Sequence, residues 1–541
     1  MNRFVKTSQK TIKTKSEKNP DKPVILTEEY KQAVCAASYL GKRGYTIPKS
    51  VLTDEDQAFL KKDLFLKPEI AGASYGMPGT EPTAFPVYRE NDKKMYIPRF
   101  YGVERYGIPH KSDMDPGVDI DVPFVKPLRD YQEKIIDTYL AAVQGENPSG
   151  GILQIYTGAG KTVMALKIAA SLRKKTMILV HKEFLMNQWI ERIAEFMPSA
   201  RVGKIQGQTL DIENKDIVLA MIQTMYNRTF PQEVYGQFGL TIIDEVHRIG
   251  SEEFSRTLLK TITPYMLGIS ATVERKDKLT KLLYMFIGPM IYSTERKKDD
   301  IVNVRGIEFQ TEDAEFNETE LDFRGKPKYS TMISKLCDYG PRRDFILRVI
   351  MDLVKENPDA QMIVLAHNRS LLTALYEAIQ YKGFATCGYY LGGMKQQDLK
   401  ESESKQIIVA SYSMSSEGMD VKNLSILVLA TPKTDVIQCV GRILRMKHEN
   451  PIVVDIVDTH SIFQNQWTQR KRYYKKCNYR IRYTTSKKYN GFIETNWENN
   501  WIKVNDPKLG AVIEDCHDKD EVETPSTIFG GKCAINTDEL F

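Results

Sequence analysis

The run GILQIYTGAGKT, residues 151–162, reads as an apolar strand, a glycine-rich turn and the start of a helix, because the amphipathic stretch KTVMALKIAASLRK follows at once. Gly158 and Gly160, flanking Ala159 and preceded by Thr157, put no Cβ in the way of a bound anion. Backbone N–H groups of such a turn, at the positive end of the helix, can wrap a phosphate. Lys161 would reach the β- and γ-phosphates of a nucleotide, and the Thr162 hydroxyl would take a place on Mg²⁺. The full pattern Gly-x-x-x-x-Gly-Lys-Ser/Thr calls for glycine at position 155, where this chain has Ile155.

Working outward, further apolar runs bounded by turns (TMILVH, DIVLAM, GLTIID, YMLGIS) alternate with helix-length segments such as EFLMNQWIERIAEFM. That alternation predicts a parallel sheet. A second set (QMIVLAH, KQIIVAS, LSILVLA, PIVVDIVD) follows a charged stretch, so two α/β domains in tandem are expected. The reading divides the chain into a basic arm (1–22), an accessory domain (23–121), a first α/β domain (122–295), a linker or insertion (296–340), a second α/β domain (341–480) and a C-terminal extension (481–541). Within the linker, RGIEF at Arg305–Phe309 has the look of a strand.

The run LTIIDEVH sets Asp244 and Glu245 at the C-terminal end of a buried strand, where parallel sheets hold their ligands. Asp244 is assigned to the metal and Glu245 to the attacking water. His181 and Lys182, Gln223 and Thr224, and His367, Asn368 and Arg369 each follow an apolar run and would line one edge of the two sheets. Such groups bond phosphate and sugar without reading sequence. From Trp467 to Tyr489, nine Lys or Arg and five tyrosines stand without an acid. A helix closing the second domain accounts for the first half, and an electrostatic role for the second.

Composition excludes several classes. The 541 residues, 42% hydrophobic, suffice for several cores. A balance of 76 Lys plus Arg against 70 Asp plus Glu permits a polyanionic partner without demanding one. Seven scattered cysteines, none in a C-x-x-C pair, indicate neither a disulfide framework nor a zinc ribbon. The N-terminal residues lack an apolar signal core, and no stretch approaches the ~20 apolar residues of a membrane span. A soluble intracellular protein with no membrane partner is expected.

In order, LRDYQ (128–132), TGAGKT, LVHKEF, IQTM, DEVH, ISAT (269–272), SSEGMD (415–420) and QCVGRILR (438–445) resemble the motif series of the superfamily 2 helicases, over residues from about 124 to 479. The resemblance implies two RecA-like domains, ATP and Mg²⁺ as ligands and nucleic acid as partner. It implies that Arg129 and Gln132 meet the base and that Gly418 and Asp420 meet the sugar side of the nucleotide. It also implies that His247, Ser270 and Thr272 couple hydrolysis to nucleic-acid binding, and that Gln438, Arg442 and Arg445 face the nucleotide from the second domain. Arg442 and Arg445, spaced i, i+3, would share one face of a helical turn. Within the superfamily the series is similar to XPB-type DNA helicases, including UvsW-type phage helicases and transcript-release helicases of large DNA viruses. That likeness implies 3′ to 5′ DNA unwinding in viral transcription, recombination or replication, alongside transcription or replication proteins, in host cytoplasm, virus factory or virion. The Arg-Glu-Asp element of XPB-type proteins reads Arg275, Lys276 and Asp277 here, a base replacing the middle acid. An RNA helicase, a duplex translocase that never separates strands, and an ATPase-dead scaffold are the alternative readings.

Overall fold

The computed structural model describes residues 26–507 apart from 69–83, 146–148, 157, 247–250, 272, 274–278, 295–300, 324, 418, 420 and 493–499. The arm 1–22, Thr157, His247, Thr272, Arg275, Lys276, Asp277, Gly418 and Asp420 therefore lie outside the described residues.

The first α/β domain is built on eight strands in the order Thr209–Asp211, Val202–Gln206, Ile217–Met221, Thr176–Val180, Leu240–Asp244, Tyr265–Ser270, Gly150–Ile155 and Met290–Thr294. All neighbours run parallel except the first pair. The central strands are buried on both faces, which is why they read as unbroken apolar runs. Helix Asp130–Val143 covers one face with Ile135, Ile136, Tyr139 and Val143, an i, i+1, i+4, i+8 stripe. Its Tyr139 hydroxyl donates to Met266 O at 2.8 Å, pinning the helix to the sheet.

The second domain repeats the plan, in the order Cys387–Tyr390, Ile407–Ser411, Gln361–Ala366, Leu424–Leu429, Ile452–Asp458, Asn303–Phe309, Arg480–Thr485 and Ile502–Asn505. Only the last pair is antiparallel. The fold is thus α/β, two tandem RecA-like domains with parallel sheets.

Two expected boundaries change. The segment 296–340, expected as a linker or insertion, supplies Asn303–Phe309, which pairs in parallel with strands on both sides. Its polar residues find partners inside the sheet. Arg305 meets Glu356 at 2.6 Å, and Glu308 accepts from Tyr483 Oη at 2.7 Å and Gln464 Nε2 at 2.9 Å. Gly306 is held to glycine by the Trp467 ring, since a Cβ there would come within 2.9 Å of it. The extension expected from 481 likewise begins inside a strand, and Ile502–Asn505 adds the sheet's last one. The expected electrostatic surface of the second half of 467–489 is partly spent there, as Arg482 pairs with Asp506 at 2.5 Å. The first half forms helix Ser461–Lys476, whose buried Arg470 holds Asp455 at 2.7 and 2.9 Å.

The described residues between 26 and 112 include a five-stranded sheet in the order Arg89–Glu90, Lys94–Ile97, Gly44–Pro48, Tyr39–Gly41 and Lys111–Ser112, with helices Glu28–Ala37, Asp54–Asp63 and Arg99–Tyr106. Leu40, Tyr45, Phe100 and Tyr101 share one core with Phe254, Leu258, Leu282 and Phe286 of the first domain. Buried Arg99 donates to Thr263 O at 3.2 Å and Pro264 O at 2.7 Å. The accessory unit is fused to the first α/β domain by packing.

Candidate active site and nucleic-acid interface

Strand Gly150–Ile155 ends in the glycine turn, and helix Lys161–Leu172 starts from it. Gly160 has φ +86°, and a Cβ there would come 2.4 Å from Gln132 Nε2. Only glycine satisfies both the left-handed backbone and the contact. The Gln132 amide is buried and bridges two turns: Nε2 donates to Ala159 O at 2.9 Å, while Oε1 accepts from Arg129 N at 3.1 Å. Tyr131 Oη also donates to Ala159 O, at 3.0 Å.

Strand Leu240–Asp244 brings its carboxylates to the same place. Lys161 Nζ lies 3.2 Å from Glu245 Oε1, and Ser270 Oγ, at the end of the adjacent strand, lies 3.5 Å from Glu245 Oε2. Glu245 takes φ +50°, a conformation that aims its side chain into the cleft at a cost in backbone strain. Asp244 is buried and accepts from Trp189 Nε1 at 3.0 Å. Burial and the neighbouring Glu245 push the Asp244 carboxyl up to about 6, against Lys161 and Trp189. A cation would relieve the repulsion between these two acids, so Asp244 with the Thr162 hydroxyl fits Mg²⁺, which takes few protein ligands and completes its shell from phosphate and water.

These groups line a cavity of about 790 Å³ that also contains Arg129, Gln132, Gly158, Gly160, Lys161 and Thr162 and, from the second domain, Lys422, Arg442 and Arg445. Arg442 and Arg445 follow helix Ile437–Val440, where Arg442 N–H donates to Cys439 O at 3.1 Å, and both line this cavity. Arg442 Nη1 donates to Met419 O at 2.5 Å, and burial together with Arg445 disfavours its charge. Arg445 packs on the phosphate loop: a Cβ on Gly158 would lie 3.6 Å from its Cα. Lys400 reaches Glu191 at 2.8 Å and Tyr390 meets Phe184 edge-on at 6.5 Å, so the two domains face each other closed. Gln438 is half-buried but does not line this cavity.

At the sheet edge the expected nucleic-acid residues divide. Lys182, Gln223 and Arg369 are exposed, at or beside the N-termini of the helices that follow their strands. Asn368 and His181 are half-buried, and Gln223 Nε2 donates to His181 O at 3.2 Å. Thr224 is a correction: it is buried, with Oγ1 accepting Gly207 N–H at 2.9 Å, and so leaves the exposed edge. His367 Nδ1 lies 2.9 Å from Thr431 Oγ1, and its surroundings and Lys433 push the imidazole down to about 4, keeping it neutral.

Two features escape sequence reading. Trp189 sits mid-helix in what reads only as an amphipathic stripe. A basic seam where the accessory unit meets the first domain is assembled from separate stretches: Arg43 lies over Tyr96, Arg256 over Tyr226 and Arg228 over Phe230, at 5.2, 5.5 and 4.8 Å. Burial, then Arg43 and Arg256, disfavour the charge on Arg89 between them.

Residues 126–275 match the family model described as Type III restriction enzyme, res subunit. A protein of Acanthamoeba polyphaga mimivirus, named a putative ATP-dependent RNA helicase, is 34% identical over 450 residues, covering 81% of this chain and 85% of its own length. The chain belongs to the viral superfamily 2 helicases. A putative ATP-dependent RNA helicase of African swine fever virus is 27% identical to this helicase over 382 residues, covering 66% of the chain and 74% of its own. A DNA 3′-5′ translocase of Sulfurisphaera tokodaii is 25% identical over 407, covering 66% and 89%. The helicase is accordingly a nucleic-acid-dependent ATPase. Among its described residues no helix is long and apolar enough to cross a membrane.

An acid limb in its pH profile is the expected consequence of Asp244. A carboxyl raised to about 6 is protonated below that pH and then cannot hold a cation. The kcat/KM for ATP is expected to fall about tenfold per pH unit below roughly 6. Trp189→Phe removes a donor that favours the charged form and should move this limb to higher pH. A limb unmoved by Trp189→Phe would remove Asp244 as its origin.

Proposed function

We propose that this helicase uses ATP and Mg²⁺ to move along DNA with 3′ to 5′ polarity and open it, in viral transcription, recombination or replication. The observation that carries the reading is the shared cavity, with Lys161, Asp244 and Glu245 from one domain and Arg442 and Arg445 from the other. Lys161 and Thr162 hold the phosphates and cation, and Glu245 takes the proton of the attacking water. Arg445 stabilises charge on the γ-phosphoryl oxygens only while the domains are closed. Asp244 and the Thr162 hydroxyl would hold Mg²⁺, which would supply neutralisation of phosphate charge. Nucleic acid gripped across Lys182, Gln223, Asn368 and Arg369 biases closure, which makes hydrolysis a step of movement.

Support for DNA comes from the Asp-Glu-Val-His box, the QCVGRILR motif and the likeness to a DNA translocase. The basic seam beyond Gln223 extends the phosphate track on to the accessory unit. RNA is the second reading, favoured by the names of the mimivirus and African swine fever virus relatives. ATP hydrolysis with no nucleic acid, single-stranded DNA, duplex DNA and RNA at low and moderate salt separates them. Stimulation of at least tenfold by DNA and little by RNA is expected. Equal or greater stimulation by RNA overturns the DNA assignment, and no turnover under any condition overturns the motor.

A further inference from the structure

His367, Asn368 and Arg369 follow the end of strand Gln361–Ala366, at the edge where a parallel sheet usually holds its ligands. The second domain has a further cavity, of about 400 Å³, at the opposite edge, where strands Asn303–Phe309 and Arg480–Thr485 begin. Register decides what lines it. Arg305 stands beside Arg482 in the parallel pair, and Arg482 beside Lys503 in the antiparallel one, so three cations line up across neighbouring strands. Strands lie about 4.8 Å apart, and like charges directly abreast repel. Arg480, two residues before Arg482 and abreast of Asn303, adds a fourth on the same face, nearer the rim. All four line the cavity.

Arg305 is 4% exposed and shares its strand face with Ile307 and Phe309 of the domain core. Glu356 binds it at 2.6 Å, and the Phe492 ring centroid lies 4.3 Å from its Cζ. Replacing a buried ion pair by apolar side chains is often neutral or stabilising, so stability alone does not account for a guanidinium at this place. Asp506 accepts from Arg482 Nη2 at 2.5 Å and lies 3.8 Å from Arg480 Nε. Among the described residues, Glu356 and Asp506 are the two carboxylates lining the cavity, against four cations. Lys503 is exposed and pairs with no carboxylate among the described residues. The surplus of two positive charges matches the nearly two negative charges of a phosphate monoester, whose oxygens a guanidinium fork bonds in pairs. Asn303, Asn450 and Trp501 complete the wall, with amides for a sugar and an aromatic surface for a base. The volume is of the order that small-ligand sites enclose.

We infer that this cavity is a second anion site of the helicase, which takes the phosphate monoester of a nucleotide, either free in solution or at the 5′ end of a strand. It shares no lining residue with the ATP cleft and does not depend on whether the motor tracks DNA or RNA. The test reads occupancy at Lys503 itself, as the rate at which an amine-reactive reagent acylates it in the full chain. Mass spectrometry follows the reaction, with exposed Lys488 as the internal reference. The probes come in two pairs: AMP against adenosine, and a short single strand ending in a 5′-phosphate against the same strand ending in a 5′-hydroxyl. Saturable slowing of at least fivefold at Lys503, absent at Lys488, is expected with a phosphorylated probe and not with its partner. Whichever phosphorylated probe acts at the lower concentration identifies the source of the monoester. Arg480→Ala, at the exposed rim, is expected to weaken this protection at least tenfold while the KM for ATP stays within twofold of wild type. No protection by either phosphorylated probe overturns the site. So does equal protection by a phosphorylated probe and its partner, which would mark the surface as one more contact for sugar and backbone, and so does protection undiminished in Arg480→Ala.

Discussion

Glu245→Gln is expected to lower ATP turnover on nucleic acid by about a thousandfold while ATP affinity stays within a few-fold of wild type. Glutamine keeps the length of the side chain, with its one oxygen able to face Lys161 Nζ, 3.2 Å from Oε1, while its amide NH₂ takes the place of Oε2 and can donate to Ser270 Oγ, 3.5 Å away. It cannot accept the proton of the attacking water. The left-handed backbone at φ +50° is retained, so the amide points where the carboxylate did. A second consequence separates this from simple damage to the site. Glu245 is one of the influences that raise the Asp244 carboxyl to about 6, so removing its charge lets Asp244 ionise at lower pH. Nucleotide binding in the variant should persist to more acid pH than in wild type. Equilibrium binding of a fluorescent ATP analogue between pH 5 and 7, with turnover measured in parallel, checks both. Turnover within tenfold of wild type would remove Glu245 as the base, and an unshifted acid limb of binding would break its link to Asp244.

What could be read beforehand follows from how each part is encoded. Strands buried on both faces of a parallel sheet, such as Ile217–Met221 and Gln361–Ala366, carry their own signal in consecutive apolar residues, and so both sheets were legible. Lys161, Asp244 and Glu245 could be singled out because each follows such a run or a glycine turn at short range, whereas Arg445 came only from the resemblance of QCVGRILR to the family motif. Asn303–Phe309 could be suspected as a strand, but its place inside the second sheet was obscured because Arg305 and Glu308 satisfy their charges internally, against partners 51 and 156 residues away in sequence. Thr224 looked like its neighbour Gln223, since nothing local records that Gly207 N–H claims its hydroxyl. Trp189 and the basic seam share that character: each depends on a tertiary neighbour. The N-terminal unit could be set apart in the sequence only as an accessory stretch, and neither its helices nor its packing on the first α/β domain through Arg99 and the Phe100 face was legible.

Arg445→Ala is expected to reduce kcat by about a thousandfold, with KM for ATP changed only a few-fold, and to remove most of the stimulation by nucleic acid. The two arginines of the turn are not equivalent. Arg442 is buried and donates to Met419 O at 2.5 Å, so truncating it leaves a buried carbonyl without that donor and costs about 1–3 kcal/mol of stability besides any catalytic loss. Arg445 instead lies against Gly158 of the opposite domain, where its guanidinium can reach a γ-phosphoryl group only when the cleft is shut. Burial already disfavours its charge, which a developing phosphoryl charge would offset more than a ground-state phosphate does. Its removal should therefore appear in kcat rather than in binding. Lysine at 445 keeps one charge but loses the planar fork, and recovery of no more than about a tenth of the rate is expected from it. In the proposed mechanism nucleic acid acts on hydrolysis by favouring closure, and closure acts through Arg445. A variant lacking it should bind DNA or RNA normally and yet hydrolyse ATP at nearly the same slow rate with or without it. Persistent strong stimulation in Arg445→Ala would show that the domains communicate through another group, and would leave the cross-domain cleft as a binding site only.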